Sequence, residues 1–250
     1  MKKIISFALA LCLCLTVFGA SFAEKPAAEM TAEELYQTGR DAFDAEDYEK
    51  AMEYYQLAAD AGKAEAWRGI GYLYGNALGV ELSYEKAMEY YQRAADQGDS
   101  SAIYNTGVLY RNGQGVEQDY GKAREYFQQA ADLGNGVAAY NLGYLYFYGQ
   151  GVEQDYGKAA EYFRQAADLG NEYAYAGIGD FYRCGKGVEQ DLKQAAEYFK
   201  RALELGADAS VFQEGLDELS AALYAAGKAA EDAGNPEEAR EYFRLAEDLG

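Results

Sequence analysis

The chain has 250 residues and a formal charge of −20, from 22 basic and 42 acidic side chains, with no histidine and only two prolines. Such an acid excess repels nucleic-acid phosphates and anionic lipid surfaces, which excludes a general electrostatic attraction to either. The missing imidazole removes the commonest neutral-pH base and the commonest zinc ligand, and the scarcity of proline favours long unbroken helices.

In chain order the first element is a leader. Lys2 and Lys3 precede an apolar run from Ile4 to Val17, and Ser21-Phe22-Ala23 puts small residues at −3 and −1 of a cleavage site before Glu24. Residues 1–23 therefore read as a signal peptide. The run falls short of the ~20 residues that span a bilayer. Cys12 and Cys14 each follow a leucine, which argues against a lipidated cysteine. The expected location is secreted or extracytoplasmic, in the periplasm or at the cell surface, with no stable membrane insertion after cleavage. Cys184 would then be the one remaining cysteine, so packing without a disulfide must hold the fold. Residues 24–30 read as a short disordered lead-in.

Thr31 to Ala45 and Tyr48 to Ala61 form a first pair of predicted helices, the second carrying Ala51, Tyr54, Tyr55, Ala58 and Ala59 on one stripe. Beyond them the segments Ala102–Val137, Ala138–Tyr173 and Ala174–Ala209 align without a gap, and Ala66–Ser101 fits more loosely. Three glycine columns recur 36 residues apart: Gly71, Gly107, Gly143, Gly179; Gly79, Gly115, Gly151, Gly187; and Gly98, Gly134, Gly170, Gly206. A fixed period of this length marks a repeat architecture.

Each repeat is legible locally. Ala102 to Tyr110 is a first helix, and Gly107 within it costs roughly 0.5–1 kcal/mol relative to alanine. Repeating that cost makes sense where a neighbouring backbone comes too close for a side chain. Asn112 to Gln118 is a turn, Asp119 an N-cap, and Tyr120 to Leu133 a second helix with Ala123, Tyr126, Phe127, Ala130 and Ala131 on one stripe. Gly134 ends it as a left-handed cap. No single pair hides its stripe, so stacking must. The constant Tyr110, Tyr146 and Tyr182 read as core.

The ends break the period. Gly39 to Gly71 is 32 residues, and Gly206 to Gly250 is 44, eight more than the period. The extra stretch, Leu223 to Asp232, is alanine-rich and helix-forming, and a last helix runs from Asn235-Pro236 to Leu249. The predicted fold is all-α, a solenoid of about six antiparallel helix pairs in one domain, 31–250. Its repeats fall near 31–65, 66–101, 102–137, 138–173, 174–209 and 210–250. Residues 24–62 hold 11 acids against 3 bases and residues 204–250 hold 12 against 3. Terminal repeats need a soluble outer face. A basic partner docking on an end is the alternative reading.

Ala102, Tyr104, Gly107, Leu109 and Tyr110, then Gly113, Gly115, Val116, Asp119, Tyr120, Lys122 and Ala123, then Tyr126, Phe127, Ala130, Ala131, Asp132 and Gly134 together resemble the Sel-one-like repeat, a relative of the tetratricopeptide repeat. The match extends over about residues 47–206. The resemblance implies a right-handed superhelix of helix pairs and a role as an adaptor between proteins. A cysteine-rich exported branch of that family has a disulfide in each repeat and a reported weak penicillin-binding activity. This chain lacks those cysteines, so that chemistry is not carried over.

No catalytic constellation stands out, and the chain reads as a non-enzyme without cofactor or metal. Cys184 has Arg183 and Lys186 nearby but no histidine to activate it. The Gly-Xaa-Gly turns lack a phosphate-loop lysine and read as structural. Acid pairs such as Glu117/Asp119 lack a twelve-residue calcium loop and read as caps.

Binding is expected where first helices line the concave face and residues vary between repeats. The varying columns are Tyr72, Val108, Tyr144, Asp180; Gly69, Asn105, Asn141, Gly177; and Gly75, Arg111, Phe147, Arg183, beside Asn76, Asn112, Tyr148 and Cys184. Arg68, Tyr72, Asn105, Arg111, Asn141, Tyr144, Phe147, Tyr148, Asp180 and Arg183 are thus the candidate partner-binding residues. Asparagines suit a peptide backbone, aromatics supply anchors, and arginines fork onto carboxylates. The expected partner is a protein or peptide. A glycan or cell-wall ligand is the second reading, and a hydrolase the third.

Overall fold

A computed structural model describes residues 25–249, which form two compact units, one ending at Lys63 and one starting at Ala64. The expected signal peptide lies outside the described residues. Twelve α-helices and two single 3₁₀ turns account for the described secondary structure.

In the first unit a 3₁₀ turn at Ala27–Glu29 occupies the stretch read as disordered, followed by α1 (Ala32–Asp44) and α2 (Tyr48–Asp60). Thr31 and Glu34 form a reciprocal capping box. The Thr31 hydroxyl accepts from the Glu34 amide at 3.2 Å, and the Glu34 carboxylate accepts from the Thr31 amide at 2.7 Å and from Lys25 Nζ at 2.8 Å. The chain reverses through Glu46 at a φ of +60°. A Cβ on Gly39 would lie 2.6 Å from the Tyr55 ring, so the two helices close over that glycine.

The second unit holds α3 (Ala64–Gly75), α4 (Tyr84–Ala95), α5 (Ser100–Asn112), α6 (Tyr120–Asp132), α7 (Gly136–Tyr148) and α8 (Tyr156–Asp168), then α9 (Tyr173–Cys184), α10 (Leu192–Glu204), α11 (Gln213–Asp232) and α12 (Pro236–Glu247). Each odd helix pairs with the next even one, and successive pairs stack. Ser83, Asp119, Asp155 and Asp191 cap the second helices, each accepting an amide three residues on.

The glycine column explains the packing, with one change to the sequence reading. What crowds Gly107 most is an aromatic ring rather than backbone. Its Cβ would sit 2.7 Å from the Phe127 ring, and the Ala123 carbonyl is next at 3.2 Å. Gly71/Tyr91, Gly143/Phe163 and Gly179/Phe199 repeat the arrangement. Phe127, Phe163 and Phe199 are almost wholly buried. Burying such a side chain contributes roughly 1.5–3 kcal/mol, more than the ~0.5–1 kcal/mol that a helical glycine costs. Phe163 and Phe199 also reach the following pair, at Gly177 and Gly215, and so seal one repeat to the next.

The turns have a second clamp. Gln118, Gln154 and Gln190 each donate through Nε2 to the carbonyl seven residues earlier, at Arg111, Phe147 and Arg183, all at 2.8 Å. Gly113 has a φ of +67° and Gly115 of +70°, and a Cβ on Gly115 would lie 2.7 Å from Tyr84 Cβ of the preceding pair.

The tyrosines read as core are not sealed. Tyr110, Tyr146 and Tyr182 are half-buried and stack on Tyr126, Tyr162 and Tyr198 with centroids 5.5 Å apart. Lys122 and Lys158 lie over the first two rings. Their ring faces pack on one another while each residue keeps part of its surface in water, as amphipathic side chains do. At the C-terminal side α11 is one 20-residue helix. Its first turns meet Phe199 through Gly215 and its later turns meet Phe243 through Gly227.

Candidate interaction face

The first helices of the second unit bring most of the candidate residues to one side, in two clusters. In the first, Arg111 at the end of α5 donates to the Asn141 side-chain oxygen on α7, while Asn141 Nδ2 donates to the Val137 carbonyl at 2.8 Å. Asn141 is buried, so it joins two repeats and is withdrawn from direct contact with a partner. The Arg111 guanidinium also lies 6.0 Å from the Phe127 ring centre. Asn105 is half-buried beside them. Arg68 pairs with Asp99 at 2.9 Å, and Asp99 accepts from the Ala102 amide at 2.8 Å, so this arginine braces the start of α5. Tyr72 is exposed.

The second cluster is aromatic and acidic. Tyr140, Tyr144 and Tyr148 fall four residues apart along α7. Tyr144 packs edge-on to Tyr140 at 4.8 Å and stacks on Tyr148 at 5.6 Å. Tyr148, 55% exposed, turns its outer ring face to water. Burial pushes the Tyr144 hydroxyl up to about 12 and raises that of Tyr140 further. On the adjoining helix α9, Arg183 Nε donates to Asp180 at 2.8 Å, and the same guanidinium pairs with Glu218 of α11. Burial raises the Asp180 carboxyl above the usual carboxylate range, against the pull of Arg183.

Phe147 departs from the expectation of a surface anchor. It is buried, edge-on to Phe181 at 5.2 Å and to Tyr156 at 5.5 Å. Its column neighbours Arg111 and Arg183 end in guanidinium groups held by Asn141 and by Asp180 and Glu218, whereas a phenyl ring has no polar end and turns into the core. Sequence reasoning missed Tyr140 and Glu218. Tyr140 shares the four-residue spacing of Tyr144 and Tyr148 and was open to detection that way. Glu218 lies past the point where the 36-residue alignment ends. Cys184 is half-buried. Among the described residues, no group of histidine, cysteine and carboxylate side chains is placed to hold a metal ion, and no helix is long and apolar enough to cross a membrane.

Helix pairs in series, with a constant seam and a variable face, define a helical-repeat scaffold. The Sel1 repeat model matches residues 26–63, 64–99, 100–135, 136–171, 172–206 and 218–250, and the chain belongs to the Sel1 repeat family. The four middle repeats begin two residues earlier than the sequence reading placed them, the first begins five earlier and the last eight later. Among solved structures, the chain is similar to a Sel1 repeat protein from Oxalobacter formigenes, at 26% identity and a TM-score of 0.67, covering 92% of this chain and 93% of that one. It is similar to a protective antigen of uropathogenic Escherichia coli with the same fold, at 26% identity and a TM-score of 0.63, covering 88% of this chain and 54% of that one. A Sel1 repeat protein from Klebsiella pneumoniae aligns at 25% identity and a TM-score of 0.53, over 80% and 98% of the two chains. No curated protein matches. Sel1 repeats generally mediate protein–protein interactions and are typically non-catalytic.

Proposed function

We propose that the chain is an exported adaptor that binds a protein or peptide segment along the first-helix face of residues 64–249. The observation that carries this reading is the Tyr140–Tyr144–Tyr148 ladder beside the Asp180–Arg183–Glu218 group. An extended segment laid there meets a rigid aromatic surface that loses little entropy on binding, flanked by charged groups that discriminate between partners. Export rests on the lysine-flanked apolar leader and the small residues before Glu24.

The test places a photo-crosslinking amino acid at position 148 and, separately, at exposed Glu161 on α8 in the protein made by its own cells. A partner crosslinked from position 148 and not from 161, and lost when Tyr72 and Tyr144 are both changed to alanine, supports the reading. Equal recovery by the wild type and the double variant removes this face from binding. Co-sedimentation with purified cell wall, lost in the same variant, would replace the peptide with a glycan. N-terminal sequencing of the exported protein should begin at Glu24.

A further inference from the structure

The far side of α9 holds a cleft unconnected with the reading above. Helical geometry turns Ile178 roughly 200° away from Asp180, two residues on. Ile178, Tyr175 and Tyr182 instead face Ala160 of α8 and Tyr198 of α10, and with Arg164 they line a cleft of about 290 Å³. That volume lies near the lower end of the ~300–1,000 Å³ typical of ligand pockets.

The cleft lies where this repeat departs from the two before it. Ala160 stands in the column occupied by Met88 and Arg124, so a long side chain is missing; Ala196, next in the column, is also small but buried. One repeat earlier, the Tyr162 hydroxyl donates to Gln128 at 2.5 Å and ties α8 to α6. Here Arg164 takes the place of Gln128, and Tyr198 lies flat on Tyr182, at 7° and 5.5 Å, without a bridging hydrogen bond. Leu142 is fully buried, whereas Ile178, its counterpart, is half-buried. The apolar wall is therefore open to solvent.

The rim is as telling as the wall. Arg164 is exposed and makes no ion pair or side-chain hydrogen bond among the described residues, although Asp168 sits one turn on and also borders the cleft. An unpaired guanidinium beside aromatic rings suits a carboxylate. Asp168 is an acceptor, suited to an N–H. A C-terminal residue supplies all three complements from one Cα: an apolar side chain, a carboxylate and an amide N–H.

We propose that this cleft docks the C-terminal residue of a protein partner, its bulky apolar side chain between Ala160, Tyr175, Ile178 and Tyr198 and its carboxylate on Arg164.

The test uses the full chain, labelled at isoleucine methyls, titrated with N-acetyl-glycyl-phenylalanine and N-acetyl-glycyl-leucine as free acids, as C-terminal amides, and with the carboxylate moved to an internal aspartate. The free acids are expected to shift the Ile178 methyl and to bind roughly fivefold more tightly than the amides, the size of one exposed charge pair. Arg164→Gln should erase that difference. Ala160→Met, which installs the residue already used at position 88, should weaken acids and amides alike. No shift of Ile178 with either free acid, equal affinity of acids and amides, or tighter binding of the internal-aspartate peptides would overturn the proposal. Circular dichroism establishes that each variant folds, and if Ala160→Met does not, the Arg164→Gln comparison decides alone.

Discussion

Phe163 of α8 fills the space that Gly177 of α9 leaves by having no side chain: a Cβ there would lie 2.9 Å from the ring. The same ring lies against Gly143 of its own pair. One aromatic side chain thus serves both the hairpin and the joint to the next hairpin, and the two glycines permit it.

Gly177→Ala should therefore destabilise the protein, although alanine is the better helix former by ~1 kcal/mol. Overpacking a sealed ring costs about 1–3 kcal/mol, and the phenyl group has no free volume into which to retreat. Gly75→Ala is the control, because its Cβ would meet Ala87 at an ordinary 3.5 Å. In urea denaturation Gly177→Ala should lower the midpoint while Gly75→Ala leaves it unchanged or raises it. A raised midpoint for Gly177→Ala would contradict this packing.

Ala77 occupies the column of Gly113, Gly149 and Gly185, yet its φ is +56°. A Cβ in that left-handed conformation costs roughly 1–2 kcal/mol, and glycine returns about 0.4–1 kcal/mol of it through the freer unfolded chain. Ala77→Gly should thus stabilise by about 0.5–1 kcal/mol, seen as a higher melting temperature. The same turn has Leu82 where the others have their clamping glutamine, so Leu82→Gln is expected to add to the gain.

Asp180 has a raised pKa, caused first by burial and opposed by Arg183. A carboxyl that binds its proton more readily in the folded state disfavours folding while it is ionised and relaxes as it is protonated. The stability of wild type relative to Asp180→Asn should rise as pH falls through the raised value toward the ordinary carboxylate range, then level off. Thermal melts of both proteins at matched pH values check this, and a difference independent of pH would remove the titration from the account. Arg183→Ala should destabilise at neutral pH, because it leaves the Asp180 carboxylate buried without its cation.

Glu34 behaves oppositely. Its carboxylate is held down to about 2 by the hydrogen bond from Lys25 first and by the Thr31 contacts after it. A lowered value gives stability that is complete above the usual glutamate range and lost as pH falls toward 2. Protection of the first-turn amides of α1, taken relative to their intrinsic exchange rates, should fall across that window in wild type. In Glu34→Gln, which has no carboxyl to titrate, it should not change with pH there.

The helices and their pairing were readable because the glycine, alanine and aromatic columns each recur at one spacing. Asp119 and Gly134 act as the sequence implied, one accepting the Lys122 amide and the other taking a φ of +86°. The object that crowds Gly107 was less visible, because it stands 20 residues away on another helix. That interval, repeated at Gly71/Tyr91, Gly143/Phe163 and Gly179/Phe199, is the signal that identifies it. On the interaction face, variability between repeats separated the seam from its surroundings but could not tell outward from inward. Phe147 and Asn141 vary because each solves a local packing problem, Phe147 against Phe181 and Asn141 against Arg111. Glu218 escaped because α11 follows a different register from the repeats before it.

That long helix has a mechanical consequence. Gly215 and Gly227 are about 18 Å apart along its axis, at 1.5 Å per residue, and each is pinned by a different phenylalanine. Where earlier hairpins meet through separate helices and a turn, here a single stiff rod spans the junction. A load applied at Glu218 is carried directly to the hairpin holding Phe243, and the two neighbours should yield together under strain or denaturant instead of peeling off in sequence.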